Sequence, residues 1–421
     1  MDKKVLAIGS ILIMIGIVTA TTFLFIFPYQ PDQPPKANDA NSSQEGILEV
    51  VNANNQFAFE LYSELNKVEG NNMFYSPYSI STAIAMTYEG ARGKTADEMK
   101  SVFHYPEKEI LRSNSAAIYN NLNKVNKAYE LMTGNALWVQ EDCPFLEEYK
   151  SNVEEFYGGK AAVLNFITET EKSRLTINSF IEEQTNGKIK NLIPRNKLKS
   201  SVKLVITNAI YFKGDWEWKF DKSDTVDQDF KITPEEVVRV PMMHMAPDKT
   251  EFNYVDMENL QILELPYKGE EISMLILLPK ENLESIDSDL NSEKLEEWKS
   301  QMQKTKLDKI YLPKFEFDSK YFMKETLIKM GMPTAFGDTA DFSGMTSAES
   351  LKIGSVIHQA YVKVDEEGTE AAAATAVIMV TKSSPMPGKV FRADHPFIFL
   401  IQEKETGNIL FLGRVTDPTV Q

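Results

Sequence analysis

One cysteine, four histidines and a deficit of positive charge set the first bounds on this 421-residue chain. Cys143 has no partner, which excludes an intramolecular disulfide and any cysteine-rich metal site. Its thiol reads as structural, and a chain this long buries enough surface to dispense with covalent staples. His104, His244, His358 and His395 show no His-Glu-x-x-His or other metal-ligand spacing. No Gly-x-Ser-x-Gly elbow occurs, so no hydrolase nucleophile is marked and no cofactor is implied. The 45 Lys and Arg are outnumbered by 61 Asp and Glu, for a net charge of -16. Without a basic stripe to collect phosphates or sulfates, nucleic acid and polyanion activators are excluded as partners. Gly90-Ala-Arg-Gly-Lys-Thr95 lacks the leading glycine of a phosphate loop, because that position is Tyr88. No internal repeat is visible.

Apolar material is plentiful: 43% of residues are hydrophobic and 10% aromatic, enough for a large core. Lys3-Lys4 precede an uncharged run from Val5 to Phe27. As a helix that run spans roughly 34 Å, the thickness of a bilayer's hydrocarbon core. The lysines before it, and none until Lys36, assign residues 1–4 to the cytoplasm and the remainder to the outside. Residues 5–27 fit an uncleaved transmembrane anchor, or a signal peptide cleaved after Val18-Thr-Ala20. The body is then either anchored on the extracellular side of the membrane or secreted. Residues 28–46 are rich in Pro, Asn, Gln and Ser and read as a flexible linker. They contain the glycosylation sequon Asn41-Ser-Ser43.

Helical spacing begins with Phe57, Leu61, Leu65 and Val68, ending at Gly70. Ser76-Pro77 predicts an N-cap with proline in the first turn. Thr95 and Glu98 match a capping box that opens a third helix. Ile177, Phe180, Ile181 and Gln184 mark another, stopped by Asn186-Gly187. Strand-like apolar runs follow at 204–212, 274–278, 356–364, 396–402 and 409–413, the last two joined through Glu405-Thr-Gly-Asn408 as a hairpin. Helices mostly first and strands mostly later predict an α+β fold.

The segment from Asp365 to Ser383 reads Asp-Glu-Glu-Gly-Thr-Glu-Ala-Ala-Ala-Ala-Thr-Ala-Val-Ile-Met-Val-Thr-Lys-Ser. Its alanines favour helix, whereas Val377, Ile378, Val380 and Thr381 favour strand. Very small side chains suit a strand that slides between two packed strands, where bulk clashes. Lys382 offers a cleavage point to a trypsin-like protease, whose specificity pocket carries an aspartate.

Glu366-Glu-Gly-Thr-Glu-Ala-Ala-Ala-Ala-Thr375 resembles the reactive-loop hinge of the serpins. So do four further blocks in the family's order: Phe74-Tyr-Ser-Pro-Tyr-Ser-Ile-Ser-Thr-Ala83, Gly90 to Thr95, Thr207-Asn-Ala-Ile-Tyr-Phe-Lys-Gly-Asp-Trp216, and Asp394-His-Pro-Phe-Ile-Phe-Leu400 leading to Gly413-Arg414. The resemblance implies one serpin domain over 47–421. It has a large, mostly antiparallel sheet A, smaller sheets B and C, eight to nine helices, and an exposed reactive loop at about 366–388. It implies a monomeric suicide-substrate inhibitor, not an enzyme, that traps a trypsin-like serine protease as a covalent complex. Alternatives within the resemblance are a non-inhibitory carrier, chaperone or storage role, or inhibition of a cysteine protease. The family's spacing places the scissile bond at Lys382-Ser383. The hinge comprises Glu366, Glu367, Gly368, Thr369, Glu370, Ala371, Ala372, Ala373, Ala374 and Thr375. Ser76, Ser79, Asn208 and His358 match the polar cluster, or shutter, beneath the central strands. Trp216, Lys314 and Glu366 match the breach where insertion starts, with Lys314 and Glu366 as an exposed pair.

Overall fold

The computed structural model describes residues 36–67, 71–124, 127–247, 249–348, 351–369 and 388–420. Six helices come early: α1 (Gln44–Asn66), α2 (Pro77–Gly90), α3 (Gly93–Phe103), α4 (Lys108–Leu122), α5 (Glu147–Tyr157) and α6 (Thr170–Gln184). Three shorter ones follow: α7 (Glu284–Asp287), α8 (Ser292–Ser300) and α9 (Lys324–Met330). Local chemistry explains several ends. The Ser76 hydroxyl accepts from the Ser79 N–H at 3.1 Å, and Pro77 needs no partner in the first turn of α2. Just past α6, Asn186 and Gly187 take φ of 51° and 73°, reversing the chain.

Three sheets carry the fold. Sheet A runs β13 (Phe315–Phe322), β14 (Ser355–Val364), β15 (Gly368–Thr369), β5 (Leu204–Asp215), β3 (Ala136–Gln140) and β4 (Lys160–Leu164), with β2 (Tyr129–Thr133) also on β5. Sheet B runs β1 (Met73–Tyr75), β18 (Ile409–Val415), β17 (Phe397–Glu403), β10 (Ile272–Pro279), β9 (Leu260–Pro266), β8 (Glu251–Asp256) and β11 (Gln303–Lys306). Sheet C runs β16 (Val390–Arg392), β12 (Lys309–Pro313), β7 (Val237–Met245) and β6 (Val226–Lys231). Most pairings in sheet A are antiparallel; β5–β14 and β3–β4 are parallel. Sheets A and B share one apolar core, in which Phe74 stacks on Phe411 at 5.1 Å and Phe212 lies 6.1 Å from Phe411. Among the described residues, nine α-helices with three sheets are the α+β arrangement that the resemblance implies.

Two local expectations fail. Thr95 and Glu98 form no capping box, because α3 starts earlier, at Gly93. The Thr95 hydroxyl instead accepts from the Asp341 N–H at 2.9 Å. Glu98 accepts from the N–H and hydroxyl of Thr334 at 2.8 and 2.7 Å. The linker expected over 28–46 is not free at its far end. The Asn120 side chain binds both the N–H (2.9 Å) and C=O (2.8 Å) of Ala37, which is 3% exposed, and α1 starts at Gln44. A side-chain amide that satisfies the strap's backbone compensates for its scarcity of apolar surface. Cys143 is buried, and burial raises its pKa, in keeping with a structural thiol. No helix among the described residues is long and apolar enough to cross a membrane; the run 5–27 lies outside them.

Candidate functional site

Sheet A parts at one end. β14 and β5 pair in parallel from Ser355/Val205 to Ala360/Ile210, six positions in all. Beyond that point both strands continue without pairing to each other, and β15 enters the mouth of the wedge. Thr369 pairs with Val364 on one side and Gly214 on the other, antiparallel to both strands. Gly368 is required by close approach, since a Cβ there stands 2.0 Å from the Gly214 carbonyl oxygen.

Several side chains hold this turn. The Trp216 indole donates to the Asp365 carbonyl at 2.9 Å, and its backbone N–H donates to the Glu367 carbonyl at 2.8 Å. Trp216 stacks on Tyr267 at 4.7 Å, and the Tyr267 hydroxyl meets that of Thr369 at 2.6 Å. Lys314 reaches both oxygens of Glu366 at 2.9 and 3.1 Å, and Thr225 donates to Glu366 at 2.8 Å. This is not the exposed pair expected, for the Glu366 side chain is 5% accessible. Burial pushes the Glu366 carboxyl pKa up, yet the bonds from Lys314, the backbone and Thr225 outweigh it and hold the net value low. The hydrogen bond from Lys219 at 2.6 Å lowers Glu367, helped by Lys222 at 3.0 Å.

Midway down the β5–β14 junction lies a second cluster, wholly buried. The Ser76 N–H donates to His358 Nε2 at 3.1 Å, so the ring proton sits on Nδ1 and is donated to Asn208 Oδ1. Asn208 Nδ2 in turn donates to the Ser79 hydroxyl and to Asn135, while the Ser76 hydroxyl donates to the Leu410 carbonyl at 2.6 Å. Burial lowers the His358 pKa to about 3, keeping the imidazole neutral. The bonds thus run from α2 through β14 and β5 to the segment before β3.

The structure brings Ser76, Ser79, Asn208 and His358 into one network, and Trp216, Lys314 and Glu366 into another. Lys382, Ser383 and Glu370 to Thr375 lie outside the described residues. Sequence reading missed Asn135, Thr225, Lys219, Lys222 and Tyr267. Gly134-Asn135, a break between two strands, was the one local signal for any of them.

A model of the serpin (serine protease inhibitor) family matches residues 52–418. An uncharacterized serpin-like protein of Thermococcus kodakarensis is 45% identical, over 88% of this chain and 86% of its own. The leukocyte elastase inhibitor of Sus scrofa is 38% identical, over 87% of this chain and 98% of its own. The crystal structure of human thyroxine-binding globulin complexed with thyroxine superposes with a TM-score of 0.80 at 32% identity, covering 89% of this chain and all of that one. An elastase inhibitor and a thyroxine-binding globulin thus stand among the similar proteins. This chain belongs to the serpin family.

Proposed function

We propose that this serpin is a suicide-substrate inhibitor of trypsin-like serine endopeptidases. A protease serine attacks the Lys382 carbonyl, the Ser383 amine leaves, and an ester joins the protease to Lys382. The cut loop then enters sheet A between β5 and β14, carrying the protease away from its docking position before water releases it. β15 carries this reading, because its register has a forced continuation. Thr369 stands opposite Gly214 and Val364. Stepping down antiparallel brings Ile378 opposite Val205 on one side and Ser355 on the other, and those two residues are already partners across the junction. Both ladders give the same depth. Insertion that far replaces the six β5–β14 pairings with two new ladders, and roughly ten inserted residues gain about 1 kcal/mol per hydrogen bond.

In this reading Trp216, Lys314 and Glu366 hold the loop's entry point, and Ser76, Ser79, Asn208 and His358 gate the parting strands. The alternation from Thr369 places small residues on both faces of the inserted strand, as a central position requires. Lysine before the cut selects a trypsin-like target. Residues 5–27 anchor the inhibitor on the extracellular side of a membrane, or are removed on secretion. Trypsin mixed with the full-length chain gives an adduct stable on a denaturing gel, with release of the fragment Ser383–Gln421 identified by mass. Cleavage with no adduct transfers the assignment to a non-inhibitory role, the one that the similarity to a thyroxine-binding globulin favours. An adduct with a cysteine protease alone moves the target class.

A further inference from the structure

At the end of sheet A away from β15, the connector between α6 and β5 leaves a cleft of about 130 Å³. Ile193, Leu198 and Val202 of the connector form one wall. Val205 on β5, Ile357 on β14 and Phe322 on β13 form the floor and the far side. Phe322 is 47% exposed, and it also borders a second cleft of about 260 Å³. A cavity of about 150 Å³ admits benzene, so the first cleft suits one aromatic ring.

The Lys197 ammonium lies 5.9 Å from the centre of the Phe322 ring, and Lys320, Lys329 and Glu64 line the second cleft. Among the described residues none of the three lysines forms an ion pair; Lys320 donates to the Asn191 carbonyl at 3.1 Å. Lys197 is the charged residue among those lining the first cleft, and an ammonium without an ion pair beside an apolar slot matches an anion with an apolar body.

We propose that this cleft binds an aryl carboxylate, the ring against Phe322 and the Val205–Ile357 floor, the carboxylate on Lys197. The consequence rests on the proposed insertion. Val205, Ile357 and the nearby Ser355 belong to the two strands that must part, and the continued register seats Ile378 between Val205 and Ser355. Ligand and inserted strand compete for one floor. The ligand binds the uncleaved form, ties the α6–β5 connector to the closed junction, and slows insertion.

The test titrates 3-phenylpropionate into the full-length chain by calorimetry. Saturable binding is expected, weakened at least about tenfold (about 1.4 kcal/mol) in Lys197→Gln and in Phe322→Ser, and equally weakened for neutral 3-phenylpropanol. Both side chains are exposed, so the variants keep the fold. Absence of saturable heat, or unchanged affinity in both variants, overturns the site. At saturating 3-phenylpropionate the trypsin adduct is expected to form more slowly and in lower yield. An unchanged rate with the ligand bound overturns the competition. A chain that binds the probe as described but never traps trypsin leaves the site standing and removes the proposed function instead.

Discussion

Sheet B and the β5–β14 junction of sheet A are built from similar apolar strands, yet they are held together differently. In sheet B the stretches Met274–Leu278 and Phe397–Ile401 are apolar throughout and at most 2% exposed, with Phe74 stacked between Phe399 at 5.7 Å and Phe411 at 5.1 Å. Midway along β5 and β14, by contrast, stand Thr207, Asn208, His358 and Gln359, all buried. Apolar burial is non-directional and scales with area, so it holds whatever packs well. A hydrogen-bond network is discrete: it is satisfied in one arrangement and costly in between. The part of the molecule proposed to stay intact is held by area. The part proposed to open is held by a countable set of bonds around an uncharged imidazole.

The sharpest way to break this contrast is Thr369→Arg. Thr369 is 1% exposed against Tyr267, and a buried guanidinium there stops insertion at its first step. Trypsin is expected to cleave this variant with no adduct on a denaturing gel; an undiminished adduct removes β15 from the mechanism. Next, Phe411→Ala in sheet B is expected to cost about 3–5 kcal/mol in urea unfolding, with equal losses in the uncleaved and loop-cleaved chains. Asn208→Ala is expected to cost about 1–3 kcal/mol, concentrated in the uncleaved chain, because the unpaired His358 and Ser79 groups matter most while the junction is closed. Equal losses at both sites in both forms erase the distinction.

Protonation probes the same junction. The folded His358 pKa of about 3 lies below the ordinary 6.5, so between those values the unfolded chain binds the extra proton. Stability from this group is complete above about pH 6.5 and falls with acid, by up to about 1.4 kcal/mol per unit. His395 runs the other way. Burial opposes its charge, but Asp394 and the Pro279 carbonyl raise its pKa, so its contribution is lost as pH rises through that value. Comparing His358→Gln with the parent between pH 6.5 and 5 isolates the junction, and the parent's acid slope is expected to flatten in the variant. The smallest effect belongs to the rim. Glu367→Gln loosens Lys219 and Lys222, which are about half exposed, and is expected to cost about 1 kcal/mol or less in a melting experiment. A loss of several kcal/mol makes the breach, and not the junction, the principal lock.

Much of the architecture was legible where the cause is local. Ser76-Pro77 starts α2 and Asn186-Gly187 stops α6 because capping and positive φ involve neighbours in sequence. The same logic misled at Thr95 and Glu98, whose side chains fit a capping box but are claimed by Asp341 and Thr334, more than 230 residues away. Lys36–Ser43 looked too polar to pack, since nothing nearby announces that Asn120 satisfies the Ala37 backbone. The Lys314–Glu366 pair was foreseen through the resemblance, but its burial was not. Tyr267, Lys219 and Lys222 gave no sign of themselves, because a tyrosine or lysine has the same local chemistry whether it holds a turn or faces solvent.

By itself, the order of residues determined the α+β class, the family, the start of α2 and the end of α6, and the small-residue run after Thr369. Each of these depends on interactions a few positions apart or on a pattern repeated along the chain. Only the tertiary structure decided that β15 enters the wedge between β5 and β14, that His358 is neutral with its proton on Nδ1, and that the Lys197 ammonium lies beside Phe322. Those outcomes depend on which distant groups share a low-dielectric space, and on which donor finds which acceptor once water has left.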